Sequence, residues 1–322
     1  MMDTGGTPYA VDFDRVVKSY PVPNESDKVV LGGVSLKIRP GQFMSVVSPS
    51  GCGKSTLLRQ ILGTEQPTSG NVLVGGVPRT LEDRRVGIVF QQYSIFPNRT
   101  VLDNIAFGLE LDNMTLPGRL TGATLRWLLR DRLSRWIPPV KRLNSYRERA
   151  RSMLDKVGLN PADALKYPHQ LSGGMKQRVA CAQALIMEPD VLLLDEALGA
   201  LDPLTRERLQ LYLLDVHDRT GATMILITHS MSEAVFCAER VVVLSQFWTL
   251  GEEPGVGSRI LLDVAMPKTT NREQKYEDPE LKAWAMKITS FGMGRTQVRS
   301  YEEAILTHPD AVRIEERHHG NQ

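Results

Sequence analysis

The stretch "VVSPSGCGKSTLL", Val46 to Leu58, constrains the fold more than any other. An apolar run passes through small and glycine positions into "STLLRQILG". There Leu57, Leu58, Ile61 and Leu62 share one helical face, and Gly63 stops the helix. A strand that turns this sharply into a helix leaves backbone N–H groups at the helix start, and those attract anionic oxygens. The pattern is nearly that of a phosphate-binding loop, Gly-x4-Gly-Lys-Ser/Thr. Gly53, Lys54 and Ser55 match its end, with Ser50, Gly51, Cys52 and Thr56 around them, but Ser48 stands where the first glycine is expected. In such a loop Lys54 reaches the outer phosphates and the Ser55 hydroxyl ligates Mg²⁺. Taken alone, a glycine-rich turn without a ligand is the competing reading.

The rest of the chain fits a parallel sheet around that loop. "YAVDFDRVV", "VVLGGVSLKI" and "QFMSVVS" read as strands, as do "SGNVLVGG" and "RRVGIVFQ". From Thr100 to about Met187 the pattern is mostly helical. Then buried strands "VLLLD", "ATMILITH" and "VVVLS" alternate with helices over "DPLTRERLQLYLLDVHDRTG" and "SMSEAVFCAER". "GSRILLDVAMP" reads as one further strand and "EDPELKAWAMKITSF" as an amphipathic helix. The tail from Arg295 to Gln322 is polar, carries no motif and is expected to be solvated and partly ordered.

Two more motifs carry chemistry. "VLLLDEALGALD", Val191 to Asp202, ends a buried strand in adjacent carboxylates, Asp195 and Glu196. An unpaired carboxylate is costly to bury, so a cation or ligand is implied. Asp195 suits the Mg²⁺ shell and Glu196 suits a base that orients an attacking water. "LSGGMKQRVA", Leu171 to Ala180, sets Ser172, Gly173 and Gly174 before a helix and offers a second anion cradle. One nucleotide does not need two cradles, but a dimer does when each cradle closes over the other copy's nucleotide.

In this order the motifs resemble those of ABC transporter ATP-binding subunits, from about Tyr9 to about Pro267. Ser48–Thr56 resembles the Walker A loop, Gln91 in "VFQQ" the Q-loop glutamine, and Leu171–Gln177 the signature. Asp195 and Glu196 resemble the Walker B end, Asp202 in "GALD" the D-loop, and His229 in "LITHSMSEA" the switch histidine. Within the family, "GCGKSTLLRQILGTEQPTSG" and "YPHQLSGGMKQRVACAQAL" look like the nitrate/sulfonate/taurine importer ATPases. The resemblance implies an α/β fold. Its phosphate-loop NTPase (RecA-like) core carries an N-terminal antiparallel β subdomain and an inserted helical subdomain. Residues 1–91 and 188–250 form the core, 92–187 the helical part, and 251–322 a C-terminal extension.

The implied mechanism is concrete. Two copies, or this chain and a paralogous ATPase, sandwich ATP and Mg²⁺. The loop holds the phosphates, Ser55, Gln91 and Asp195 hold the metal, and Tyr20 stacks on adenine, with Tyr9 and Phe13 as fallbacks. Ser172, Gly173, Gly174, Gln177 and Asp202 serve the partner's nucleotide. Glu196, His229 and Gln91 are the catalytic set. The partners are transmembrane permease subunits and, indirectly, an extracytoplasmic solute-binding protein. The expected location is the cytoplasmic face of the membrane. The competing functions are a soluble ABC-type ATPase uncoupled from transport and a low-turnover nucleotide-sensing subunit.

Three positions depart from the family pattern: Ser48, Ala197 where proline usually follows the glutamate, and Ser230 where an acid often follows the histidine. A glycine-only backbone at Ser48 would cost about 1–3 kcal/mol. Cys52 in the loop is a candidate reactive thiol, though a small residue filling the position is the simpler reading. An insertion, roughly Asp112 to Asn144, separates "NIAFGLEL" from "RERARSMLDKVGL". Arg119 to Arg151 holds ten Lys/Arg against Asp131 and Glu148, and Leu125, Leu129, Leu133, Trp136 and Ile137 form a stripe. Membrane-surface contact through 119–151 and packing on the same subdomain stand here at equal weight. A net charge of +2 calls for no nucleic acid. Three scattered cysteines suit a reducing compartment. No apolar run approaches the roughly 20 residues that cross a bilayer, and no signal peptide is evident.

Overall fold

The computed structural model describes residues 9–79, 85–90, 94–113, 138–198, 203–267, 278–292 and 298–313. Gln91, Asp202 and most of the 112–144 insertion lie outside them. The chain opens with β1 (Val11–Tyr20), β2 (Lys28–Ile38), β3 (Phe43–Val47), α1 (Lys54–Leu62), β4 (Ser69–Val74), β5 (Val77–Pro78) and β6 (Val86–Phe90). Helices α2 (Val101–Asn113), α3 (Pro138–Lys156) and α4 (Gly173–Leu185) follow. Next come β7 (Val191–Asp195), α5 (Pro203–Thr220), β8 (Thr223–Thr228), α6 (Met231–Cys237) and β9 (Arg240–Ser245). The chain closes with β10 (Trp248–Leu250), β11 (Glu253–Pro254), β12 (Arg259–Ala265), α7 (Pro279–Gly292), β13 (Arg299–Ser300) and β14 (Ile305–Leu306).

Among the described residues the central sheet runs β14-β12-β9-β3-β8-β7-β6. From β9 to β6 all neighbours are parallel, which places the carboxyl ends of β3, β7 and β8 along one edge. A second sheet, β2-β1-β4-β5, is antiparallel. The period-2 rule explains why both faces of the central sheet are covered. Leu192, Leu194, Met224, Leu226, Val241 and Val243 face the helical side. Their neighbours Val191, Leu193, Ile225, Ile227, Val242 and Leu244 face α1 and the antiparallel sheet. Each such fully buried side chain contributes roughly 1.5–3 kcal/mol.

The segment after residue 250 is part of this body. β12 pairs with β9, and β14 adds a parallel edge. The fully buried Arg240 donates to both Asp263 oxygens at 2.7 and 2.6 Å, fastening β9 to β12. Trp248, Leu261, Tyr301 and Ala304 form a third small core. Of the solvated, partly ordered tail expected from Arg295, residues 298–313 are ordered, and Tyr301, Ala304 and Asp310 are buried and not solvated. The two-residue β14 is half-buried there, too short a pattern to rise above the polar background. Residues 314–322 lie outside the described set.

Asp310 anchors this segment. Arg39 donates to its two oxygens at 2.7 Å each, across 271 positions of sequence. Those hydrogen bonds hold the Asp310 carboxyl below the ordinary aspartate range, although its burial pulls the other way. A depressed folded pKa means stability that is present above the unfolded value of 3.8 and lost as pH falls through the lower folded value. Asp310→Asn is therefore expected to lower the thermal midpoint at neutral pH, with the gap from the parent closing in strong acid. Melting curves against pH check this, and a gap that is constant or widens in acid counts against it.

Candidate nucleotide site

β3 ends at Val47, and the loop that follows closes on Gly53 at the N-terminus of α1. Gly51 and Gly53 both have φ of +86°, a conformation that glycine takes without steric cost. No side chain caps α1, so its first-turn N–H groups have no capping group of the protein's own. Ser50, Gly51, Gly53, Lys54, Ser55, Thr56, Tyr20, Val30, Arg59 and Glu196 line a cavity of about 470 Å³ over that helix end. Of the three aromatic candidates, Tyr20 is the one on this wall. Its hydroxyl donates to Glu65 Oε2 at 2.9 Å and lies 3.3 Å from Thr56 Oγ1. Phe13 is fully buried, and Tyr9 borders a different cavity.

The lysine and the carboxylates meet here. Lys54 Nζ donates to the Ser48 carbonyl at 3.0 Å. Burial pulls its ammonium below the ordinary value, opposed by Glu196, by Cys52 and by Asp195. Burial likewise pushes Asp195 up, aided by the Glu196 charge and resisted by Lys54. A cationic oxygen-seeking ligand would relieve that carboxylate. Ser55 and Asp195 supply hard oxygen donors of the kind Mg²⁺ takes alongside phosphate. Glu196 N–H donates to the Ile227 carbonyl at 2.9 Å. His229, the residue after β8, places Nδ1 3.7 Å from Glu196 Oε1.

The three departures acquire physical reasons. Ser48 is fully buried, its hydroxyl donates to the Pro49 carbonyl at 3.0 Å, and it is not among the residues with positive φ. The loop's glycine-only positions are 51 and 53, so serine at 48 costs no backbone strain. Glu196 does have a positive φ, 46°. Proline at the next position would push it towards an extended backbone, and Ala197 leaves the left-handed conformation accessible at a cost of about 1–3 kcal/mol. Ser230 caps α6, its Oγ accepting the Glu233 N–H at 3.3 Å. Cys52 is wholly buried, so its thiol is not presented for reaction.

The second cradle lies apart from this cavity. Ser172 caps α4, its Oγ accepting the Met175 N–H at 3.3 Å. Ser172 and Gly173 are exposed and Gly174 partly so. Gln177 is not brought to that surface: it is fully buried, and neither of its amide atoms has a hydrogen-bond partner among the described residues. Its helical spacing from Cys181 was the signal for an inward face. Gln91 and Asp202 fall outside the described residues. Sequence reasoning missed Glu233, a buried acid one turn beyond His229.

Comparisons with known proteins identify the family. Residues 31–199 match the family model described as "ABC transporter". The sulfate/thiosulfate import ATP-binding protein CysA 1 of Agrobacterium fabrum is 45% identical over 219 residues, covering 67% of this chain and 56% of that one. The nitrate import ATP-binding protein NrtD of Synechococcus elongatus is 38% identical over 267 residues, covering 83% and 85%. The chain thus spans a little over half the length of the sulfate import relatives it matches. The dimeric ATP-binding cassette MJ0796 bound to ADP and Pi aligns with a TM-score of 0.56 at 28% identity, over 80% of this chain and all of that one. The fold is also that of cbiO1 from Clostridium perfringens, with a TM-score of 0.61 at 24% identity over 88% and 96% of the two chains. The chain belongs to the ABC transporter family, as one of its ATP-binding members.

Proposed function

We propose that this chain is the ATP-hydrolysing subunit of an ABC importer for nitrate, sulfonate, taurine or a similar small anionic or zwitterionic solute. The observation that carries the reading is the convergence of Lys54, Glu196 and the uncapped start of α1 on one cavity, with His229 beside Glu196. The amides from Gly51 to Thr56 and Lys54 bind the phosphates, and Tyr20 packs against the base. Ser55 and Asp195, with Gln91, would hold Mg²⁺, which would supply positive charge against the phosphate oxygens. Glu196 takes a proton from the attacking water, and His229 contacts the γ-phosphate. Ser172 and Gly174 of a second copy cover that phosphate, which accounts for a cradle exposed away from the chain's own cavity. Closure on ATP and opening after hydrolysis drive the permease.

No helix of the described residues is long and apolar enough to cross a membrane. In this reading the permease consists of separate chains. They would hold this subunit peripherally at the cytoplasmic face, with an extracytoplasmic binding protein choosing the solute. The basic stretch 119–151 is a further candidate contact with the membrane surface. The test is a steady-state ATPase assay on the full chain, alone and with co-purified membrane partners. Turnover that rises with a permease supports the reading. Turnover without any membrane partner points to a soluble ATPase, and binding without turnover to a sensor. Because Ser48 costs no backbone strain, Ser48→Gly should leave ATP affinity unchanged by direct titration. A clear tightening would mean that the serine does burden the loop.

A further inference from the structure

Glu233 is a charged group that the mechanism above leaves unused. It sits on α6 with 3% of its surface exposed, and a carboxylate buried so deeply must be paired. Its Oε2 accepts the Thr228 hydroxyl at 2.6 Å. The Thr228 oxygen in turn accepts the Ser230 N–H at 3.0 Å, and Ser230 Oγ accepts the Glu233 N–H at 3.3 Å. The residues on both sides of His229 are therefore tied to one buried acid.

The other carboxylate oxygen reaches a different element. Glu233 Oε1 lies 3.4 Å from Arg206 Nε on α5. The same Nε donates to the Leu198 carbonyl at 3.4 Å. Leu198 is two residues beyond Glu196, whose Oε1 faces His229 at 3.7 Å. The contacts close a ring: Glu196, His229 with its neighbours Thr228 and Ser230, Glu233, Arg206, Leu198, and back along the chain to Glu196.

We propose that Glu233 and Arg206 are positioning residues that lock the His229 loop and the backbone after Glu196 into one register. A displacement of His229 is then felt at Leu198 and at the start of α5, not at the histidine alone. The proposal rests on the hydrolytic reading of the same site. Glu233→Gln keeps an oxygen for Thr228 but removes the charge that Arg206 meets. Arg206→Gln removes the other half at a side chain one-third exposed, where folding is least at risk.

The experiment uses the full chain with MgATP and compares the two single variants with the double. KM for ATP is expected to stay within about twofold, while kcat falls at least tenfold in each single variant. The double variant should lose no more than either single one, because coupled residues are not additive. An unchanged kcat in Arg206→Gln, or additive losses in the double, overturns the proposal. A second readout does not depend on turnover. The imidazole resonances of His229, assigned with His229→Gln, should shift in both single variants, and resonances identical to the parent's overturn the brace even if the chain is not an ATPase. A parent chain without ATPase activity whose His229 resonances still move in the variants refutes the hydrolytic reading and leaves the brace standing.

Discussion

Glu196→Gln is expected to bind ATP as the parent does while turnover falls by about 10²–10⁴-fold, the usual worth of a positioned general base. Glutamine keeps the size of the side chain and an oxygen to face the cavity. It loses only the capacity to take a proton from water. The placement of Glu196 makes this separable from folding. Its side chain is partly exposed at the cavity, and its backbone is held by the Ile227 carbonyl, independently of the carboxylate. The charge also matters to Lys54 and Asp195, since Glu196 raises the pKa of each. Removing it relieves repulsion on Asp195 and on incoming phosphate oxygens, which offsets the support that the Lys54 ammonium loses. With closure intact and hydrolysis blocked, the dimer should accumulate in the ATP-bound state. Size-exclusion chromatography with and without ATP, beside a phosphate-release assay, reads both effects. Parental turnover in this variant would remove Glu196 from the role of base.

Much of this site was legible because its signals are local. A helix that starts after glycine and ends at Gly63, and a strand that stops at two acids, are written in adjacent residues. Short continuous apolar runs likewise marked β7, β8 and β9 as strands buried on both faces. What stayed hidden depends on distance. Asp310 lies in a stretch without a motif, and its partner Arg39 is 271 positions away in sequence. Glu233 carries no local signal, because its partners Thr228 and Arg206 come from a strand and another helix. Ser48 illustrates the reverse error. A motif assigns glycine to a position by frequency, but the backbone needs glycine only where φ is positive, and that is at Gly51 and Gly53.

This distinction sets up the second large effect. Gly53→Ala should cost ATP affinity at least tenfold and lower the melting midpoint, while Gly51→Ala should do less on both counts. The two glycines share φ of +86°, so each alanine bears strain of about 1–3 kcal/mol. Their surroundings differ. A Cβ on Gly51 meets nothing within 4 Å, whereas one on Gly53 would stand 2.9 Å from Leu31 Cδ2 and 3.0 Å from Val30 Cγ1. Leu31 is fully buried in the cluster beneath α1, so it has little room to yield, and such overpacking costs about 1–3 kcal/mol more. Gly53 is also the N-cap of α1, so any shift there moves the helix start whose amides face the cavity. Each 1.4 kcal/mol of that combined cost, if expressed in the bound state, is about a tenfold loss of affinity. Nucleotide titration and thermal melting of the two variants side by side test the ordering. If Gly51→Ala proves as damaging as Gly53→Ala, backbone conformation alone sets the loop, and the packing of Leu31 and Val30 against it plays no part.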